Sequence, residues 1–232
     1  GLFIPYGPTV QTVNARRKRQ VHSDRDHDTA WDGPMMVMVN RLSASASEIF
    51  AGAMQDYQRA LVVGGQTFGK GTVQQLVQLS RGAQLKLTQS KFYRVSGQST
   101  QHQGVIPDIA FPTLYDHDTI GESALEDALP WDRIKPAIYS RTGDLEALLP
   151  RLITEHQRRV ATDADFEYLE GLLALNREQS ELETIPLKEA ERRAQTEAFD
   201  AARLALENEL RIARGEPPVD SLDDLAASER GE

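Results

Sequence analysis

Residues 35–65 read MMVMVNRLSASASEIFAGAMQDYQRALVVGG, and the reading of this stretch decides the fold class. Residues 35–39 form an unbroken apolar run of strand length, which predicts a strand buried on both faces. Residues 46–57 place Ile49, Phe50, Ala53 and Met54 at helical spacing, which predicts a helix with one apolar face. Residues 60–63 read as a second short buried strand, stopped by Gly64 and Gly65. Strand, helix and strand in this order are the pattern of a parallel β-α-β unit. The first half of the chain is therefore expected to be mixed α/β.

On the N-terminal side, LFIPYGPTVQTV (2–13) reads as a strand with turn residues Pro5, Gly7 and Pro8. Residues 15–33 are polar and charged and are expected to form a surface loop. On the C-terminal side come three β-like stretches, TVQQLVQL (72–79), AQLKLTQSKFYRV (83–95) and GVIPDIAF (104–111), the first two joined by a turn at Ser80, Arg81 and Gly82. Beyond them the pattern turns helical. Residues 145–160, interrupted by Pro150, 166–175 and 187–213 carry apolar stripes at helical spacing, and the longest has Glu189/Arg193 and Glu207/Arg211 four apart. Pro217 and Pro218 end it, and the acidic tail after Val219 is expected to fray.

The charge changes where the pattern does. Residues 1–115 hold 12 Lys/Arg and 7 Asp/Glu, net +5, and residues 116–232 hold 14 and 28, net −14. The split suggests two units, an α/β part over 1–115 and a helical part over 116–232. It also argues against nucleic acid as a partner, because the largest basic cluster, residues 16–19, is short and close to the acidic run 24–28. No apolar run approaches the roughly 18 residues of a membrane span. There is no cysteine, which excludes thiolate catalysis and Cys-ligated zinc. The opening GLFIPYGPTVQ lacks the basic region of a signal peptide and reads as the start of a processed or excised chain.

The three alternating serines, Ser43, Ser45 and Ser47, raise the question of chemistry. Ser45 and Glu48 match S-x-x-E, the capping box, in which the serine accepts from the Glu48 N–H and the glutamate reaches back. Such a cap contributes about 1 kcal/mol. The same corner would also suit a nucleophile, since a side chain there faces the C-terminal edge of a sheet near the positive end of a helix. A serine nucleophile needs a base. None of the five histidines, His22, His27, His102, His117 and His156, has neighbours that would build a His-Asp relay, and no G-x-S-x-G elbow occurs. Lys70, in TFGKGTVQ (67–74), is the other option. A lysine base must be neutral, so its pKa has to fall from about 10.4 to roughly 7–8, worth about 4 kcal/mol against the ammonium form. Burial supplies such a shift where no carboxylate is adjacent, and no acid lies within this segment. The spacing of a phosphate-binding loop is not met. The residues alone leave both a helix cap and a Ser/Lys hydrolase open.

Residues 39–74, VNRLSASASEIFAGAMQDYQRALVVGGQTFGKGTVQ, closely resemble the catalytic segment of the carboxyl-terminal processing proteases, above all the tail-specific type of Gram-negative bacteria. WDGPMMVMVN (31–40) and GVIPDI (104–109) strengthen the resemblance, which is strong over 1–112 and weaker over the helical remainder. It implies a ClpP/crotonase-like α/β core followed by a helical region. It further implies a Ser/Lys dyad in which Ser45 is the nucleophile and Lys70 the general base. Gln74 would orient the lysine, Asp56 would be a structural or supporting acid, and the Ala46 N–H would be an oxyanion donor. Ser43 and Ser47 would be turn and helix-start residues. The implied activity is endoproteolysis of proteins with apolar C-terminal tails, in the periplasm, with no metal or cofactor. In the family a PDZ domain and a Gly-rich strand carrying a second oxyanion donor lie upstream of the GLFI segment. Losing one such donor costs about 10² to 10³ in rate, so this chain alone is expected to be weakly active or inactive.

Two other functions fit the residues. In one, the helical half docks an adaptor protein or another protomer, the α/β half is scaffold, and the chain is not catalytic. In the other, the shared core performs acyl transfer, which leaves Lys70 unexplained.

Overall fold

The computed structural model describes residues 2–230. Two antiparallel strands come first, β1 (Gly7–Asn14) and β2 (Arg19–Asp24). β2 falls in the stretch expected to be a loop. Its residues are polar apart from Val21 and exposed apart from half-buried Asp24, so no hydrophobic pattern marks it. Its pairing is fixed by the turn instead, where Asn14 Oδ1 accepts the N–H groups of Arg16 and Lys18, each at 3.0 Å.

The β-α-β unit forms as the sequence predicts: β3 (Met36–Val39), α1 (Ala46–Asp56) and β4 (Leu61–Gly64), with β3 and β4 parallel from Met36↔Leu61 to Val39↔Gly64. The ribbon β5 (Thr72–Gln78) and β6 (Gln84–Tyr93) follows, turning at Ser80–Gly82. The third β-like stretch shortens to β7 (Ile109–Ala110), which extends the parallel sheet by pairing with β4. The sheets run β3-β4-β7 and β2-β1-β6-β5.

β4 is buried along its whole length, but β3 is not: Met36 is 58% and Met38 75% exposed. β3 is the edge of its sheet, and the described residues cover only its Val37 and Val39 face. The helix is rotated relative to expectation as well. Ala53 and Met54 are buried as predicted and pack with Ile4, Tyr57 and Val95. Phe50 is 40% exposed, and Glu48 takes an interior place. Small residues explain the rotation: Gly52 lets the Arg94 side chain lie against the helix, where an added Cβ would stand 3.2 Å from it.

The C-terminal part is helical, as expected: α2 (Leu145–Val160), α3 (Ala164–Ser180), α4 (Glu189–Ala213) and α5 (Leu222–Arg230). α2 continues through Pro150. α3 begins at an N-cap, Asp163, whose carboxylate accepts the N–H groups of Asp165 and Phe166. α3 and α4 touch where Gly171 leaves room for Leu206. The tail does not simply fray. Asn208 exchanges two hydrogen bonds with Val219, and Leu225, on α5, is buried. Contacts divide the chain into two compact units, Gly1–Arg151 and Leu152–Glu232. The architecture is the mixed α/β part followed by a helical region that the sequence predicts.

Candidate active site

Ser45 sits at the corner between β3 and α1. Ahead of it, Asn40 Oδ1 accepts the Leu42 N–H and Ser43 Oγ accepts the Asn40 N–H, so Ser43 is a turn residue. Ser45 itself has φ 57° and ψ −108°, a conformation that L-residues avoid and that costs about 1–3 kcal/mol. Ser45 is half-buried. One half of the capping box is a firm bond, from the Ser45 N–H to Glu48 Oε2 at 2.8 Å. The other half is loose: the Ser45 hydroxyl lies at the Glu48 N–H without a well-formed hydrogen bond, and that N–H is taken by the Ser45 carbonyl at 3.0 Å. Among the described residues no acceptor meets the exposed Ala46 N–H.

Glu48 does far more than cap. It is fully buried. Oε1 accepts from the Thr67 hydroxyl at 2.6 Å and the Gly69 N–H at 2.7 Å, and Oε2 accepts from the Ser45 N–H and, at 2.9 Å, the Lys70 N–H. Burial pushes this carboxyl above its ordinary range, and the hydrogen bonds from Thr67, Gly69, Ser45 and Lys70 pull it back only in part. The Phe68 N–H adds a direct link to the Ser43 carbonyl at 3.0 Å.

These bonds bring Ser45 and Lys70 together. Their backbone nitrogens share one oxygen, through bonds of 2.8 and 2.9 Å, so they lie less than about 6 Å apart. The Lys70 side chain is half-buried, and among the described residues no carboxylate pairs with its amine.

The other sequence-predicted residues stand apart from this pair. Gln74 is exposed on β5, just past a register shift, and its carboxamide reaches Thr88 at 3.5 Å rather than Lys70. Asp56 lies at the far end of α1, about 16 Å from Ser45 at 1.5 Å per residue. Its carboxylate pairs with Arg94 at 2.5 Å and accepts the Ser96 N–H at 3.2 Å, with side chains only 7% and 10% exposed. Asp56 anchors α1 to the end of β6. Asp56→Ala leaves the Arg94 guanidinium buried without its partner and is expected to lower stability by about 3 kcal/mol, read from denaturant unfolding.

Sequence reasoning missed Glu48 as a clamp and Arg41 altogether. Glu48 was visible only as the fourth letter of a capping box, and nothing local says that a glutamate there is interior. Arg41 is 1% exposed and donates to backbone carbonyls 26 and 79 positions away. No local pattern announces such a brace.

Comparison with known proteins agrees with this architecture. Residues 1–111 match the model of peptidase family S41, and residues 115–232 match the C-terminal domain of tail specific protease. The chain is 40% identical over 237 residues to the tail-specific protease of Haemophilus influenzae, covering 97% of this chain and 34% of that protein. It is 43% identical over 107 residues to the carboxyl-terminal-processing protease of Synechocystis sp., covering 46% of this chain and 25% of the relative. Among solved structures, the photosystem II D1 C-terminal processing protease aligns with TM-score 0.42 and 34% identity over 47% of this chain and 28% of that one. The chain thus spans about a third, or less, of the length of these curated relatives. The chain belongs, by residues 115–232, to the family of the C-terminal domain of tail specific protease, and its residues 1–111 match peptidase family S41.

Proposed function

We propose that this chain carries the Ser/Lys dyad of a tail-specific, carboxyl-terminal processing endopeptidase. The observation that supports the reading is the Glu48 oxygen shared by the Ser45 and Lys70 N–H groups, which holds the two backbones less than about 6 Å apart. In the proposed reaction, neutral Lys70 takes the proton of the Ser45 hydroxyl as Oγ attacks the peptide carbonyl. The Ala46 N–H, at the positive end of α1, donates to the oxyanion. Collapse of the tetrahedral intermediate breaks the C–N bond, and the amine leaves with the proton from Lys70. Water then adds to the Ser45 ester as Lys70 takes its proton, the acyl C–Oγ bond breaks as Lys70 returns that proton to Oγ, and the acid product is released. Gln74 and Asp56 act at a distance in this reading. Gln74 steadies the start of β5, which follows Lys70, and Asp56 sets the direction of α1. The mechanism calls for no metal or cofactor.

The substrates are polypeptides with apolar C-terminal tails, the compartment is the periplasm, and the helical part from about residue 116 onward meets an adaptor protein or a second copy. The names and family of the relatives support proteolysis of this type. Among the described residues no acceptor meets the Ala46 N–H, which leaves it free to donate to an oxyanion. The test is covalent labelling by a fluorophosphonate, located by peptide mass spectrometry. Stoichiometric modification at Ser45, absent in Ser45→Ala, is expected. A chain that stays unmodified at millimolar reagent while folded is a binding module and not a peptidase part.

A further inference from the structure

Residues 116–124 carry no regular strand or helix beyond the short turn Glu122–Ala124, yet they are stitched to the loop that presents Lys70. Arg41 bridges the two. Its Nη1 donates to the Thr67 carbonyl at 2.6 Å, while Nε donates to the Ile120 carbonyl at 2.5 Å and Nη2 to Ser123 Oγ at 2.7 Å and the His117 carbonyl at 3.2 Å. The Glu122 N–H donates to the Phe68 carbonyl at 2.9 Å. Gln101 makes a second bridge: its Nε2 donates to Glu122 Oε1 at 2.9 Å, and its Oε1 accepts the Gly71 N–H at 2.8 Å. The segment therefore reaches the loop at residues 67, 68 and 71, on both sides of Lys70.

Two features make this grip matter. The loop has glycine on each side of Lys70 and gains little stiffness from its own residues. Glu48 fixes the N–H groups of Gly69 and Lys70 and leaves the carbonyls of residues 67 and 68 to other partners. Other backbone bonds hold the loop's opposite side, from the His102 N–H to the Gly69 carbonyl at 2.8 Å and the Phe92 N–H to the Gly71 carbonyl at 2.9 Å, while a cavity of about 550 Å³, lined by Arg41, Gln66, His117, Ser123 and Trp131 among others, opens along the seam with residues 116–124. Gly121 shows how close the fit is. Its φ is +129°, and a Cβ there would stand 2.2 Å from Arg41 Nη2.

We propose that residues 116–124 are a strap that positions Lys70 by clamping residues 67–71 against the Ser45 corner. The role of Lys70 as base rests on the function proposed above; the clamp does not. The strap lies within the region matched to the C-terminal domain of tail specific protease. That region's first residues thus complete the loop that presents the dyad lysine. Gly121, Glu122 and Gln101 are positioning residues, with no contact to reacting atoms.

The experiment is amide hydrogen exchange at Gly69, Lys70 and Gly71 in the 232-residue chain, alongside the pH profile of fluorophosphonate labelling. In Gly121→Ala and Glu122→Ala, exchange at these three amides is expected to rise at least about tenfold through local opening, with β3 and β4 unchanged. The midpoint of the labelling profile is expected to move with it. Glu122→Gln keeps the Oε1 acceptor and is expected to restore both. Wild-type exchange at the loop in both variants would overturn the proposal. So would a rise spread over the whole unit with Glu122→Gln no better than Glu122→Ala. Exchange requires no turnover, so a wild-type chain that never labels would sink the peptidase reading and leave the strap to be judged on exchange alone.

Discussion

Glu48→Ala is expected to lower the stability of the α/β unit by about 4 kcal/mol, because it strands four donors, two of them buried and two half-buried, at about 1–3 kcal/mol each before any water enters. The donors are the Ser45, Gly69 and Lys70 N–H groups and the Thr67 hydroxyl. Glu48→Gln is expected to fall between wild type and Ala. Its carbonyl can keep one pair of donors, while its NH₂ faces the other pair. Urea unfolding measures both. On the function proposed above, fluorophosphonate labelling of Ser45 should fall further than stability does, since the same bonds hold Ser45 and Lys70 together. The pH dependence has a definite sign. The Glu48 carboxyl is raised above its ordinary value of 4.5 in the folded state. Its stabilising contribution is full below that value and falls as pH rises through the raised folded value. Wild type should show this slope, and Glu48→Gln should lack it. An unchanged slope in Glu48→Gln would mean that another group titrates there.

Lys70→Met is expected to reduce the rate of Ser45 labelling by about 10³, within the range for loss of a general base. The informative comparison is Lys70→Arg. A guanidinium keeps the positive charge but does not deprotonate in a protein. If Lys70 serves as a base, Arg should be nearly as slow as Met. If the side chain only lends positive charge to the corner, Arg should label at close to the wild-type rate. Neither variant should change stability by more than about 0.5 kcal/mol, because the amine has no ion-pair partner among the described residues to lose.

The sequence made the order of elements legible because each was marked by its own period. The apolar run at 60–63 became the buried β4, and the turn at 80–82 became the ribbon corner. Where pairing rather than side-chain pattern sets the structure, it misled. β2 is polar apart from Val21, and its backbone ladder leaves no trace in hydropathy. β3 has the apolar run of an interior strand yet lies at a sheet edge, since composition does not tell which neighbours a strand has. The candidate site divides in the same way. Ser45 and Lys70 could be named from residue chemistry and family resemblance, and the structure brings their backbones together. Glu48 and Arg41, which do the joining, were not visible. Each acts on partners far away in the chain, and their burial is a property of the folded molecule.

Ser45 holds a backbone conformation that glycine would adopt freely. Ser45→Gly should therefore raise the melting temperature: relief of about 1–3 kcal/mol of strain exceeds glycine's extra entropy of about 0.5–1 kcal/mol. It also removes the hydroxyl. A screen of random variants for heat resistance alone would thus favour a corner without the proposed nucleophile. On that proposal, only selection for turnover would keep the serine.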